Sequence, residues 1–180
     1  MPDAGQNGSD PESGIRYLPS PLMPTFLLIR HAKAERADGI ADIDRALSDR
    51  GRSDAKLVGA FFAEALPRPA AIVSSPARRA RETAAIVSAG ANWRATIAID
   101  DHLYGGGITD LMAVLAESDA DPIVVFGHEP VWSATVSVLV GGGEITMVTC
   151  AAACVDGEAE PGGGTLRWMI TPAALGGGPS

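Results

Sequence analysis

Apolar residues in this chain fall into short unbroken runs, and between the runs the spacing changes to that of helices. TFLLI (25–29) is apolar throughout after its first residue and is bounded by polar neighbours, the pattern of a strand buried on both faces. Next, Leu57, Val58, Phe61, Phe62, Ala65 and Leu66 form an i, i+1, i+4, i+5 stripe, with Ser48 as candidate cap and Pro67 as terminator. AAIVS (70–74) reads as a second strand, followed by a helix with Ser75 as its cap and Pro76 in its first position. A short strand near 96–99 precedes a helix from about Thr109 to Glu117. PIVVF (122–126) is a further buried strand, leading into a helix from about Pro130 to Val140. The Thr- and Gly-rich stretch 145–170 reads as strands. Strand-then-helix order repeated in this way predicts an α/β fold with a mostly parallel central sheet and helices on both faces.

Periodicity is missing at the two ends. Residues 1–23 are rich in Gly, Pro, Ser and Asp and are expected to be a disordered N-terminal tail, with Met23 a second candidate start. Residues 24–172 are expected to form one domain, and 173–180, ending in GGGPS, a frayed tail. No internal repeat is evident.

The polar residues after the buried runs are the next signal, because ligands of such sheets bind beyond the carboxyl ends of the strands. TFLLI is followed by Arg30 and His31, AAIVS by Ser75, Pro76, Arg78 and Arg79, and PIVVF by Gly127, His128 and Glu129. Three strands thus carry cations and imidazoles to one edge. Adjacent cations repel, so an anion held among them would account for the grouping. Guanidinium groups grip phosphate in bidentate fashion, and helix starts add N–H donors. An imidazole in that field is kept neutral and can attack phosphorus.

Composition narrows the partners. The chain has 180 residues, and 22 acidic against 14 basic ones give a formal charge of −8. A chain this acidic is a poor general binder of nucleic acid or anionic membranes, so an anion site must be local. No run reaches the roughly 20 apolar residues of a membrane span, and no basic-then-apolar leader begins the chain, so a cytoplasmic protein is expected. Cys150 and Cys154 on one strand would lie about 13 Å apart, too far for a disulfide. They are expected to be half-buried thiols, and neither has the close second sulfur of a metal or redox pair.

Arg30-His31-Ala32 and Ser75-Pro76-Ala77-Arg78-Arg79-Ala80-Arg81-Glu82-Thr83, together with His128 in VVFGHEP, resemble the motifs of the histidine phosphatase superfamily, the phosphoglycerate-mutase-like family. Ala32 stands where that family has Gly. RHAKA, DRALSDRG (44–51), HLYGG and GHEP look like the small SixA-type phosphohistidine phosphatases, and the resemblance spans about residues 24–170. It implies His31 as a nucleophile that becomes phosphorylated, with Arg30, Arg79 and His128 as the catalytic groups that bind the phosphoryl group, and it selects Arg79 over Arg78 and Arg81. It implies no cofactor and no metal. Larger members carry a carboxylate general acid after the second Arg. Here Arg79 and His128 are only 49 positions apart, and the candidates are Asp100, Asp101 and His102, of which Asp101 and His102 would serve best.

Three readings fit these residues. The first is a phosphatase acting on phosphohistidine in a protein, whose imidazole leaves more easily than an alkoxide and so needs little acid help. The second is a small-molecule phosphomonoesterase using Asp101 or His102 as the acid. The third is a non-catalytic phosphate or phosphoprotein binder, which would not require His31. Metal-dependent chemistry would need clustered carboxylates, and the strand ends offer mainly cations.

Overall fold

The computed structural model describes residues 23–36 and 39–178. Six strands and four helices come in the order β1 (Thr25–Arg30), α1 (Asp49–Ala65), β2 (Ala71–Ser74), α2 (Arg78–Gly90), β3 (Ile97–Ile99), α3 (Ile108–Ala116), β4 (Ile123–Gly127), α4 (Val131–Leu139), β5 (Ala152–Gly157) and β6 (Gly164–Ile170). They form one sheet in the order β3-β2-β4-β1-β5-β6. The first four strands are parallel, and β5 and β6 extend the sheet antiparallel beside β1.

The two central strands explain the unbroken apolar runs. Side chains alternate across a strand, so each face of β1 and β4 must supply its own core. Leu27, Ile29, Val124 and Phe126 face one way, against Val58 and Phe62 of α1 and Ala84 and Val87 of α2. Phe26, Leu28, Ile123 and Val125 face the other, against Leu111 and Leu115 of α3 and Trp132, Val136 and Leu139 of α4. On the first face Phe62 stacks on Trp93 with ring centroids 5.4 Å apart. Burying each such large side chain contributes about 1.5–3 kcal/mol. The Ser48 hydroxyl accepts from the Gly51 N–H and caps α1 as expected.

Three sequence expectations are corrected. α2 starts at Arg78 after Ala77, with no side-chain cap: the Ser75 hydroxyl accepts from the Ala77 N–H at 3.3 Å, short of the helix, and also reaches His128. Residues 145–150 are not strand: Gly141, Gly142 and Gly143 all take positive φ, and Cys150 has φ 61°, so the chain turns before β5 begins. Both cysteines are fully buried rather than half-buried, and neither is disulfide-bonded. Beyond β6 a 3-10 turn spans Ala173–Leu175, the Gly177 N–H donates to the Pro172 carbonyl at 2.8 Å, and Arg50 donates to the Gly178 carbonyl. The expected N-terminal tail lies outside the described residues except for Met23, which is exposed.

Gly127, the last residue of β4, is set by packing. A Cβ there would lie 2.0 Å from the Trp132 ring, which is fully buried under the strand end. Gly127→Ala is expected to destabilise the protein by about 1–3 kcal/mol through overpacking, read as a lowered midpoint in chemical denaturation. A midpoint shift worth under about 0.5 kcal/mol, as for a neutral surface change, would refute this account of the position.

Candidate active site

Parallel pairing of β1 with β4 and of β4 with β2 brings three strand ends side by side. Arg30 pairs with Gly127 across β1 and β4, and the His31 N–H continues the ladder to the Gly127 carbonyl at 2.8 Å. His128 comes immediately after, and the two imidazole rings sit 5.0 Å apart, tilted by 55°. From β2, Ser75 reaches His128, its Oγ 2.7 Å from Nε2.

Each imidazole is held in one orientation. His31 Nδ1–H donates to the Ala32 carbonyl at 2.7 Å, which leaves the lone pair on Nε2. That Nε2 accepts from Arg79 Nε at 3.3 Å. Arg79, in the first turn of α2, is 7% exposed, whereas Arg78 points outward and pairs with Glu82. Thr83, one turn on, ties the two motifs together: its hydroxyl accepts from the Ala32 N–H at 3.0 Å and donates to the Arg79 carbonyl at 2.7 Å. Arg30 donates from Nη1 to the Met147 carbonyl at 2.7 Å. Arg30 Nε and His128 Nδ1 are buried with no hydrogen-bond partner among the described residues.

Desolvation foremost lowers the His31 pKa to about 4; the hydrogen bond to the Ala32 carbonyl opposes it, and the nearby guanidiniums of Arg79, Arg30 and Arg45 lower it further. Desolvation, then the charges of His31, Arg79 and Arg30, lowers that of His128 to about 3, with Asp42 opposing. Burial also lowers Arg30, opposed by Glu129. Both imidazoles are therefore neutral near pH 7 in the ligand-free protein.

The structure brings Arg30, His31, Arg79 and His128 together. Neither Asp101 nor His102 shares a hydrogen bond with these four among the described residues. Both lie in a 3-10 turn (Asp101–Leu103), and the His102 side chain is 78% exposed and bonded to Asp100 at 2.9 Å. The carboxylate that does stand at the site is Asp42, which sequence reading did not single out. It comes from a segment closed at its base by an Ala34–Leu47 bridge and by the Ser48 N–H donating to the Lys33 carbonyl. Glu82 pins it to α2 by accepting from the Leu47 N–H at 2.9 Å. Asp42 Oδ1 accepts from Arg45 at 2.8 Å, and Oδ2 from Arg79 at 2.9 Å and the Tyr104 hydroxyl at 3.0 Å. These bonds, Arg45 foremost, hold its pKa down to about 2, so it is ionised and unsuited to act as an acid. Tyr104, likewise not anticipated, meets His128 edge-on at 5.7 Å.

Residues 26–105 match the profile of the histidine phosphatase superfamily (branch 1). An uncharacterized protein of Mycobacterium tuberculosis is 36% identical over 113 residues, 62% of this chain and 69% of that protein. The chain belongs to the histidine phosphatase superfamily. Within it, a candidate phosphohistidine phosphatase SixA from Nakamurella multipartitia has 27% identity and a TM-score of 0.70, with 84% of this chain and 98% of that one covered. The protein histidine phosphatase SixA complexed with tungstate shares the fold at a TM-score of 0.75 and 24% identity, covering 84% of this chain and 99% of that one. A chloroplastic protein of Arabidopsis thaliana is 27% identical over 169 residues, 82% of this chain and 77% of its own length.

The geometry of this histidine phosphatase predicts the outcome of a pH titration. Ring resonances of His31 and His128 should remain those of neutral imidazole at pH 6, where an ordinary histidine of pKa ~6.5 is mostly protonated. Because unfolding returns both rings to ordinary values, their contribution to stability is complete above about pH 6.5 and is lost as pH falls toward 4. A midpoint near 6.5 for either ring would contradict its burial.

Proposed function

We propose that the chain is a phosphohistidine phosphatase in which His31 Nε2 takes the phosphoryl group from a phosphohistidine in a protein and passes it to water. The observation that carries this reading is the neutral His31 lone pair flanked by Arg79, with the unpartnered Nε of Arg30 and Nδ1 of His128 alongside. Arg30, Arg79 and His128 would hold the phosphoryl oxygens as charge shifts onto them in the transition state. The N–P bond of the substrate breaks as a bond from His31 Nε2 to phosphorus forms. An imidazole whose distal nitrogen is protonated departs as a neutral ring with no proton transfer. Water then attacks the phosphorylated His31, whose Nδ1–H, held on the Ala32 carbonyl, lets it leave as neutral imidazole too.

This chemistry suits a site without a protonated acid. Asp42 is ionised, and Asp101 and His102 share no hydrogen bond with the central groups among the described residues. No group of three or more His, Cys, Asp or Glu lies together as a candidate metal cage among those residues, and none of their helices is long and apolar enough to cross a membrane. The cations supply the charge that Mg²⁺ provides in metal-dependent enzymes.

Labelled substrate quenched in alkali should leave acid-labile phosphate on the protein, and His31→Ala should abolish it. Arg79→Ala should cost about 10²–10³ in kcat, as for loss of one preorganised oxyanion donor. Turnover should survive a chelator and depend steeply on the leaving group, with each ~1.4 kcal/mol of unassisted leaving cost slowing it about tenfold. Efficient alkyl phosphate hydrolysis that collapses in Asp101→Ala or His102→Ala would instead establish the phosphomonoesterase reading.

A further inference from the structure

Asp42 takes no part in the phosphoryl transfer itself, yet it is bonded to the guanidinium that would hold the phosphoryl group. All three nitrogens of Arg79 are engaged: Nε with His31, Nη1 with the Asp42 carbonyl at 2.6 Å and Nη2 with the Asp42 carboxylate at 2.9 Å. Arg45 and Tyr104 fix the carboxylate from two further directions. Its side chain is nonetheless 51% exposed, so it stands at the mouth of the site with accepting capacity left over. A phosphoryl group entering on Arg79 must share that guanidinium with a fixed negative charge.

We propose, building on the phosphohistidine reading, that Asp42 is a specificity-determining residue that favours substrates whose phosphoryl group is carried by a cation, such as a protonated phosphoimidazole, over phosphate esters. Two anions on one guanidinium repel, which weakens the binding of any phosphate group. A substrate with a protonated ring nitrogen offsets this by donating that N–H to Asp42. The bond holds the distal proton in place while the other ring nitrogen leaves with its electron pair, so the ring departs neutral. An ester has no such proton and meets only the repulsion. The Tyr104 ring beside the carboxylate adds an aromatic surface of the kind that attracts flat cations.

Asp42→Asn keeps the shape and removes the charge. Its kcat/KM on N-phosphoimidazole and on a phosphohistidine protein, at a pH where the ring is protonated, should fall about tenfold, the worth of one hydrogen bond to a charged group. On p-nitrophenyl phosphate it should hold or rise, and inhibition by orthophosphate should tighten. A residue that merely steadied Arg79 would lower activity on both substrate classes and weaken orthophosphate inhibition, and that result would overturn the proposal. Asp42→Ser removes the charge with a smaller side chain and should give the same reversal if the first variant folds poorly, which a thermal melt would reveal. Wild-type protein that turns over p-nitrophenyl phosphate through His31 but neither phosphoramidate would overturn the substrate reading and this inference together. Equal losses on both substrate classes, with the wild type active on phosphoramidates, would sink the role of Asp42 alone.

Discussion

The register of β1 against β4 is the constraint on which the site depends. Arg30 lies opposite Gly127, so the next residue of each strand end is a histidine, and the two rings come within 5.0 Å. A slip of one residue would turn every side chain of β1 to the opposite face, exchanging Leu27 and Ile29 with Phe26 and Leu28 between the two cores. Those cores are built from different helices, so the slip would lose packing on both sides at once. Apolar burial thereby fixes polar geometry: nothing in the contact between His31 and His128 would hold two desolvated rings together by itself. Gly127 completes the arrangement by letting Trp132 pack directly beneath the strand end.

Crowding cations and imidazoles into one cleft carries an electrostatic cost, and the structure meets it in two ways. The histidines give up their protons, as burial and the guanidiniums require, so only the arginines carry charge. Asp42 then neutralises part of the remaining charge, bridging Arg45 and Arg79. An overall charge of −8 gives no hint of this local balance, because long-range fields are screened within about 10 Å in ordinary salt while the site groups lie within hydrogen-bonding distance.

The contrast between features that could and could not be read in the sequence comes from the range of the interactions involved. β1 and β4 were legible because a strand buried on both faces leaves an unbroken apolar run, and β2, half-buried on one face, leaves a shorter one; the residues just past such a run must emerge at the sheet edge. Asp42 was not legible, because its role depends on contacts with Arg79, 37 positions away, and with Tyr104, 62 positions away, from a loop with no periodicity. Ser75 looked like a helix cap because Ser before Pro is a local signal. Its hydroxyl does accept from the Ala77 N–H, but it also reaches His128, 53 positions away, and the helix starts only at Arg78. Residues 145–150 misled for a related reason: Ile, Thr and Val suit a strand locally, whereas the positive φ of Cys150, after positive-φ glycines at 141–143, belongs to a turn.

Arg30 shows how far the support of one side chain extends. Its Nη1 donates to the Met147 carbonyl, from the turn before β5. Met147 is held in turn by its own N–H, which donates to Ser133 Oγ on α4 at 2.9 Å, and Ser133 donates to Glu129 at 2.8 Å. Glu129 adjoins His128 and opposes the lowering of the Arg30 pKa. The route from Arg30 through Met147, Ser133 and Glu129 therefore returns to the strand end it left. The β5 side closes the same loop through the backbone, with the Arg30 N–H donating to the Ala151 carbonyl at 3.0 Å and the Cys150 N–H to the His31 carbonyl at 3.1 Å. The antiparallel half of the sheet bears none of the four central side chains, yet the segment that leads into it holds both the backbone and the tip of Arg30. A guanidinium fixed at both its backbone and its tip loses little further freedom when an anion binds, which is the condition for binding energy to go into the transition state rather than into ordering the site.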